Sequence, residues 1–139
     1  MTDLKKRIHE KLSRFPMVCL ATASATGKPW VRYVMARPDD DLTLRIATSA
    51  GSRKVAQIRE NPQVHVTCGV TDLPGAESYL QIEATAEVST DPAQKRAFWD
   101  DRLLSYFSGP DDEKFAVITV RPHRIELMSM TAKMEVWEG

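Results

Sequence analysis

A run of hydroxyl-bearing and cationic residues, Thr48-Ser49-Ala50-Gly51-Ser52-Arg53-Lys54, joins a predicted apolar strand to a predicted amphipathic helix. The free backbone N–H groups in the first turn of a helix carry partial positive charge and attract anions. Arg53 adds a planar fork of donors and Lys54 a mobile point charge, and both suit phosphate oxygens. The run therefore predicts a phosphate-binding site. The alternative is a solvated helix start with Ser52 as an ordinary N-cap.

Arg32 is the second residue with a chemical signature, because it interrupts a predicted apolar strand at residues 30–36. A buried charge without a partner costs several kcal/mol, so such a position requires either an anion or solvent. Arg32 therefore predicts an anionic ligand beside the strand. The alternative is an exposed position on a half-solvated strand face.

The remaining reactive side chains predict no further chemistry. His9 and His123 have no carboxylate or cysteine at ligand spacing, and His65 alternates with the apolar residues of its strand, so we expect solvated histidines and no metal site. Cys19 and Cys68 each lie within a predicted strand, where we expect small core residues rather than nucleophiles. No residue stands out as a catalytic acid or base, and the catalytic residues are unknown from the sequence.

Composition and charge narrow the class of protein. The 139 residues correspond to about one domain, and 19 basic side chains balance 19 acidic ones. This neutrality gives no global field to recruit nucleic acid or an anionic membrane, so we expect neither partner. No apolar run approaches the roughly 20 residues that span a bilayer, and the charged N-terminus lacks the apolar core of a signal peptide. We therefore expect a cytoplasmic protein.

The elements that position these residues follow from hydrophobic periodicity and turn residues. Amphipathic patterns predict three helices, ending near residues 15, 61 and 106, and Asp91-Pro92 caps the last of them. Apolar runs predict about six strands, with a short extra strand at residues 134–137 and an exposed loop at residues 69–78. The predicted strand segments are residues 17–22, 30–36, 42–47, 63–68, 80–88, 115–120 and 125–128, and residues 121–123 interrupt the run formed by the last two.

The order of these elements indicates the fold class. Strands follow one another in hairpin-like runs rather than alternating with helices, which favours a mainly β antiparallel barrel with peripheral helices. Pro122 lies between the last two strand segments and predicts an edge, a bend or a bulge there.

Three segments, taken together and in order, resemble the FMN-binding split-barrel superfamily of pyridoxamine 5′-phosphate oxidase. They are Arg32-Tyr33-Val34-Met35, the run from Ala47 to Lys54, and the alternating strand at residues 80–88. The chain is most similar to the short general-stress-protein branch of that superfamily. The resemblance implies a six-stranded antiparallel split β-barrel of Greek-key type, with residues 1–139 as one domain and the barrel core at about residues 15–128.

The resemblance also implies roles for individual residues toward bound FMN. The phosphate would be held by the family's strand arginine and its Ser-Arg-Lys motif, the isoalloxazine ring would be lined by the segment after the arginine, partly through backbone groups, and the strand end would face the ribityl chain or phosphate. In this order, the residues are Arg32, Ser52, Arg53 and Lys54; Tyr33, Val34 and Met35; and Thr48. Ala47, which precedes Thr48, is also expected to contact the cofactor. Trp137 would either cover the ring or cap the hydrophobic core.

Members of the family are typically homodimers with the flavin in the seam between subunits, and Trp30 would line that seam or lie in the core. The long C-terminal extension of the vitamin B6 oxidases is missing, so we do not expect B6 oxidation. The expected function is an FMN-dependent oxidoreductase of unknown substrate, acting on a small molecule or NAD(P)H. The alternatives are a non-catalytic flavin-storage or stress protein and a reductase using deazaflavin F420, with FAD a further cofactor alternative.

Overall fold

The computed structural model describes residues 2–74 and 77–139, so part of the predicted 69–78 loop, residues 75 and 76, lies outside the described residues. The described chain forms three α-helices, one short 3₁₀ helix and eight strands. The helices are α1 (Asp3–Arg14), α2 (Arg53–Glu60), α3 (Pro92–Phe98) and the 3₁₀ helix (Asp101–Ser105). The strands are β1 (Met17–Ala23), β2 (Pro29–Met35), β3 (Arg37–Pro38), β4 (Leu44–Ser49), β5 (Gln63–Cys68), β6 (Ser78–Ser89), β7 (Phe115–Ser129) and β8 (Glu135–Glu138).

The strands form one antiparallel sheet in the order β2-β1-β5-β6-β7-β4-β3, and β8 pairs with the second half of β7. Four strands separate β2 from β4 in this order, yet β2 and β4 contact each other. The sheet is therefore curled on itself, and the predicted mainly β split barrel with peripheral helices is confirmed. No helix of the described chain is both long and apolar enough to cross a membrane.

The core lies inside the curled sheet and follows the predicted alternation of side chains. In β6, Leu80, Ile82, Ala84 and Ala86 point inward and are buried, whereas the intervening side chains are not. Helix α1 closes the core with Ile8 and Leu12, which fall on one helical face and are almost fully buried. The main core is thus built mostly from the inward-facing side chains of the strands and one face of α1, and Ile58 of α2 adds to it.

A second, smaller core lies under α3. Phe107, Phe115 and Val117 are buried there, and Phe98 and Trp99 pack against them. The rings of Trp99 and Phe115 meet edge to face with centroids 5.5 Å apart, a favoured aromatic geometry. Phe98 and Trp99 are thus partly buried at the edge of this smaller core.

The third helix is shorter than the sequence pattern predicts, because α3 ends at Phe98 rather than near residue 106. Trp99 and Asp100 leave the helical conformation, and the carboxylate of Asp100 accepts from the backbone N–H of Arg102. An aspartate that caps a new turn competes with continuation of the old helix. The chain restarts as the 3₁₀ helix.

Two further departures concern strands. The predicted segments 115–120 and 125–128 form one continuous strand, β7, and Pro122 sits opposite Ala84 where the register shifts. The sheet absorbs the proline through this irregularity, as the sequence predicts. In addition, β4 begins at Leu44 rather than at residue 42, because Leu42 adopts a positive φ of 72° in a tight turn, donating to the carbonyl of Asp39.

Candidate phosphate-binding site

The predicted phosphate site lies where β4 ends and α2 begins. Ser52 occupies the N-cap position of α2, but its side chain makes no capping hydrogen bond. Instead its hydroxyl lies 3.4 Å from that of Thr48, which is buried at the end of β4. Ser52 is therefore an N-cap by backbone conformation only, and its side chain does not satisfy the donors of the first helical turn.

Arg32 reaches this region from β2 and is held by neutral acceptors. Its Nη1 donates to the carbonyl of Leu20 at 3.1 Å and to the hydroxyl of Thr22 at 2.8 Å. Its Nη2 donates to Oε1 of Gln57, on α2, at 3.1 Å, and the Thr22 hydroxyl donates to the same oxygen. Thr22 and Gln57 are themselves buried. The guanidinium is thus fixed between β1 and α2 without losing its charge.

The third side of the site carries Arg53 and Lys54. The guanidinium carbon of Arg53 lies 4.4 Å from the ring centroid of Trp30 on β2. The pKa of Arg32 is lowered mainly by desolvation and to a lesser extent by the charge of Arg53. The pKa of Lys54 is likewise lowered mainly by desolvation and to a lesser extent by the charge of Arg32. The charge of Arg32 therefore interacts with the charges of both Arg53 and Lys54, and we call these three residues the cation cluster.

The charge of the cation cluster is not compensated. Within residues 2–74 and 77–139, every ion pair involves other residues, and no carboxylate pairs with Arg32, Arg53 or Lys54. Nε of Arg32 also has no hydrogen-bond partner in this part of the chain. Three cations at a helix N-terminus with a spare donor form a chemical environment suited to an anion with several oxygens.

The residues expected to line a flavin ring lie on edge strand β2 and alternate in exposure. Tyr33 and Met35 are 76% and 62% exposed, whereas Val34 points into the core at 8%. The side chains of Tyr33 and Met35 are therefore accessible to a ligand. Val34 could offer only its backbone groups, as the resemblance implies for part of this segment.

Two predicted site residues lie apart from the cation cluster. Ala47 faces the opposite side of β4 from Thr48 and packs against the small core under α3. Trp137, on β8, pairs with Ile125 and packs against the main core, and Gly139 lies against its ring. Within one chain the structure does not bring these two side chains to the cluster.

Other reactive groups lie outside the cluster. The described residues contain no group of three or more His, Cys, Asp or Glu that could hold a metal ion. Burial raises the pKa of the Cys68 thiol to about 11, which leaves it protonated and unreactive at neutral pH. Two surface cavities, of about 420 and 350 Å³, are lined by residues outside the cluster. Within the cluster, Arg53 is exposed, whereas Arg32 and Lys54 are half-buried.

The family model of pyridoxamine 5′-phosphate oxidase matches residues 4–129 of the chain. The chain belongs to the pyridoxamine 5′-phosphate oxidase family. General stress protein 26 of Bacillus subtilis is 29% identical to it over 134 residues, covering 96% of this chain and 94% of that protein. The pyridoxine/pyridoxamine 5′-phosphate oxidase of Yersinia pestis is 36% identical over 61 residues, covering 44% of this chain and 28% of that enzyme.

The fold of this chain is also similar to that of several solved structures. General stress protein 26 from Bacillus anthracis superposes with a TM-score of 0.82 at 26% identity, covering 99% of this chain and 100% of that one. A related FMN-binding protein from Nostoc punctiforme gives 0.72 at 15% identity, covering 100% and 97%. A heme-binding protein from Mycobacterium smegmatis gives 0.78 at 16%, covering 99% and 59%. The last two show the fold alone, and a shared fold does not select the ligand.

Membership of the pyridoxamine 5′-phosphate oxidase family confirms the resemblance seen in the sequence.

Three residues make contacts at the cation cluster that the sequence did not predict. Thr22 and Gln57 hold Arg32, and Trp30 contacts Arg53. Their signal in the sequence is slight: Gln57 is a polar residue beside the buried Val55 and Ile58 of α2, and Thr22 ends an apolar strand. Trp30 is 44% exposed, so the alternative that places it in the core is wrong.

Proposed function

We propose that this chain binds FMN through its phosphate at the cation cluster and acts as an FMN-dependent oxidoreductase of a small molecule. The observation that carries the proposal is the convergence of three cations, without a carboxylate partner in the described chain, at the start of α2. Family membership supports the same assignment independently.

The charge of the cluster favours FMN over the other cofactors considered. The phosphomonoester of FMN carries close to two negative charges at neutral pH and three terminal oxygens. The phosphodiester of F420, and each phosphate of the FAD pyrophosphate, carries one charge. Three cations and the hydroxyl groups of Thr48 and Ser52 match a terminal dianion best.

The ring would lie along β2, where an apolar face is exposed. Met17, Val31, Tyr33 and Met35 form this β2 apolar face, and their side chains are 53% to 76% exposed. Exposed apolar surface of this kind on an edge strand is typical of an interaction site. We propose that a second copy of the chain covers the β2 apolar face, so that the flavin is enclosed in a homodimer seam.

A bound flavin would supply the hydride or electron transfer itself. The residues of this chain would bind and orient it: the cation cluster fixes the phosphate end, and the β2 apolar face shields the ring from water. The substrate is a small molecule, with NADH or NADPH as candidate electron donors.

The proposal is tested by the visible spectrum of the purified protein and by mass spectrometry of the compound released on denaturation. We expect flavin absorption and the mass of FMN, and F420 or heme in its place would contradict the assignment. Reduction of the bound flavin by NADH or NADPH, with turnover of an acceptor, supports an oxidoreductase. A bound flavin that neither donor reduces supports the alternative, a non-catalytic flavin-binding protein.

The phosphate site itself is tested by Arg53→Ala combined with Lys54→Ala. Charge-assisted hydrogen bonds contribute about 1.5–3 kcal/mol each, so FMN affinity should fall at least about a hundredfold, whereas riboflavin affinity should change little. Flavin fluorescence quenching measures both. Arg59→Ala is the matched control, because it removes an exposed cation from the last turn of the same helix. Equal FMN affinity in the double variant and the wild type would rule out this site.

A further inference from the structure

Trp30 is a surface aromatic residue whose ring faces a member of the cation cluster. We propose that Trp30 is a positioning residue for phosphate binding, because its indole face holds the guanidinium of Arg53 beside Arg32 and Lys54. This inference rests on the proposed binding of FMN at the cluster and assigns a role that the family resemblance does not give to this residue.

The geometry of the pair meets the requirements of a cation–π contact. The guanidinium carbon of Arg53 lies 4.4 Å from the ring centroid of Trp30, within the roughly 6 Å over which the attraction acts. Trp30 precedes Arg32 by two residues on β2, so the two side chains leave the same face of the strand. The indole ring is therefore attached to the same strand segment that presents Arg32.

Arg53 has no other anchor in the described part of the chain. Its side chain is exposed and makes no hydrogen bond or ion pair there, in contrast to Arg32, which has four hydrogen-bond contacts. The like charge of Arg32 repels it, and its place at the start of α2 opposes the helix dipole. Without Trp30, the side chain would turn into solvent and would have to be ordered again when phosphate binds.

An aromatic ring is well suited to this position because it is neutral. A carboxylate partner would also hold Arg53, but it would cancel a positive charge and compete with the phosphate for the donors. The indole face attracts the cation and leaves its N–H groups, which point outward in the guanidinium plane, available to phosphate oxygens. Trp30 thus orders Arg53 without lowering the charge of the cluster.

The test compares Trp30→Leu and Trp30→Phe with the wild type, measuring the dissociation constants of FMN and of riboflavin by fluorescence quenching. We expect Trp30→Leu to weaken FMN binding by between about twofold and thirtyfold, the range of cation–π contacts from exposed to desolvated sites. Riboflavin affinity should stay within about twofold, and Trp30→Phe should recover part of the loss. Size-exclusion chromatography and circular dichroism confirm that each variant keeps its assembly and fold.

A double-variant cycle with Arg53→Met identifies the route of the effect. If Trp30 acts through Arg53, Trp30→Leu should change FMN affinity by less than about 1.5-fold when Arg53 is already Met. An equal loss in both backgrounds, or an equal loss for riboflavin, overturns the inference, because Trp30 would then act on the ring or the fold.

The same measurements separate this inference from the proposed function. If Arg53→Met leaves FMN affinity unchanged, the phosphate site is misplaced and both proposals fail. If Arg53→Met weakens FMN binding and Trp30→Leu does not, the phosphate site stands and only the positioning role of Trp30 is overturned.

Discussion

At the scale of the residue, the cation cluster tolerates its own repulsion because neutral groups hold it. Arg32 is anchored by a backbone carbonyl, a threonine hydroxyl and the amide oxygen of Gln57, and Arg53 by an indole ring. Each of these partners fixes a position and leaves the positive charge intact. The cluster is therefore preorganised for an anion, and the cost of ordering it is met during folding rather than during binding.

Gln57 gives the sharpest residue-scale prediction. Gln57→Glu keeps the shape and the acceptor oxygen but places a negative charge at the position that now lies 3.1 Å from Nη2 of Arg32. We expect the melting temperature to stay constant or rise, while FMN affinity falls at least about tenfold, because one cation of the cluster is neutralised.

Gln57→Leu is the matched variant. It leaves the buried Thr22 hydroxyl and one Arg32 donor without their acceptor, so the free energy of unfolding should fall by about 1–3 kcal/mol in urea denaturation. If the Gln57→Glu variant bound FMN as tightly as the wild type, the charge of Arg32 would play no part in binding.

Lys54 predicts the pH dependence of both stability and binding. Its pKa in the folded chain is lowered from the ordinary 10.5 by desolvation and by Arg32. Between the lowered value and 10.5 the unfolded chain binds more protons than the folded one, so the stability of the ligand-free chain should rise as pH rises through this window. Over the same window FMN affinity should fall, because the lysine loses its charge.

On the acid side, FMN affinity should fall below about pH 6, where the phosphomonoester takes up a proton. We call these two losses of FMN affinity the acid limb and the alkaline limb of the pH profile. Measuring the affinities of FMN and riboflavin in parallel across pH separates both limbs from ionisation of the ring, which the two ligands share. Lys54→Arg should remove the alkaline limb, because arginine stays protonated throughout. An unchanged alkaline limb in this variant would assign the ionisation to another group.

The sequence was sufficient to locate the cations but not the residues that hold them in place. Arg32, Arg53 and Lys54 could be predicted because charged residues stand out in an apolar strand and at a helix start. Thr22 and Gln57 could not be connected to Arg32, since the contacts span 10 and 25 residues and depend on strand pairing and on how α2 packs. Strand alternation places Ala47 on the opposite face of β4 from Thr48, but the packing of that face under α3 depends on tertiary contacts that the sequence does not show.

At the scale of the element, helix starts and strand interiors were predictable, and helix ends were less so. The alternation in β6 and the Asp91-Pro92 cap of α3 are local signals, and the structure contains both elements. The early end of α3 at Phe98 depends on Asp100 capping a new turn, which competes with a sequence that is otherwise compatible with helix. Capping therefore decides where elements end more than propensity does.

The two helix caps differ in a way that mutation can measure. The Asp91 carboxylate accepts from the backbone N–H of Gln94 at 3.1 Å, so Asp91→Ala should cost about 1 kcal/mol of unfolding free energy. Ser52 makes no such bond, so Ser52→Ala should change stability by less than about 0.5 kcal/mol in the same urea titration. We expect Ser52→Ala to lower FMN affinity instead, by roughly twofold to tenfold, because the variant loses one hydroxyl donor to the phosphate. A large loss of stability in Ser52→Ala would instead indicate that Ser52 acts as an ordinary N-cap.

At the scale of the whole molecule, one chain leaves the candidate site unfinished. The cation cluster is partly exposed, the β2 apolar face is exposed, and Trp137 packs against the main core of its own chain. A flavin bound to a single chain would hold its phosphate firmly while leaving much of the ring in water. The proposed second chain would bury the ring, and in that arrangement flavin binding and assembly of the dimer should depend on each other.

This dependence predicts the behaviour of Val31→Asp. Val31 is 67% exposed on the β2 apolar face, so a charge there would be buried unpaired if a second chain covers the strand. We expect the wild type to elute as a dimer, and Val31→Asp to elute as a monomer with weaker affinity for both FMN and riboflavin, since the ring loses its cover. Leu104→Asp is the matched control: Leu104 is 56% exposed on the 3₁₀ helix, and its variant should remain dimeric with wild-type affinity. A Val31→Asp variant that stays dimeric and binds flavin normally would move the subunit seam away from β2.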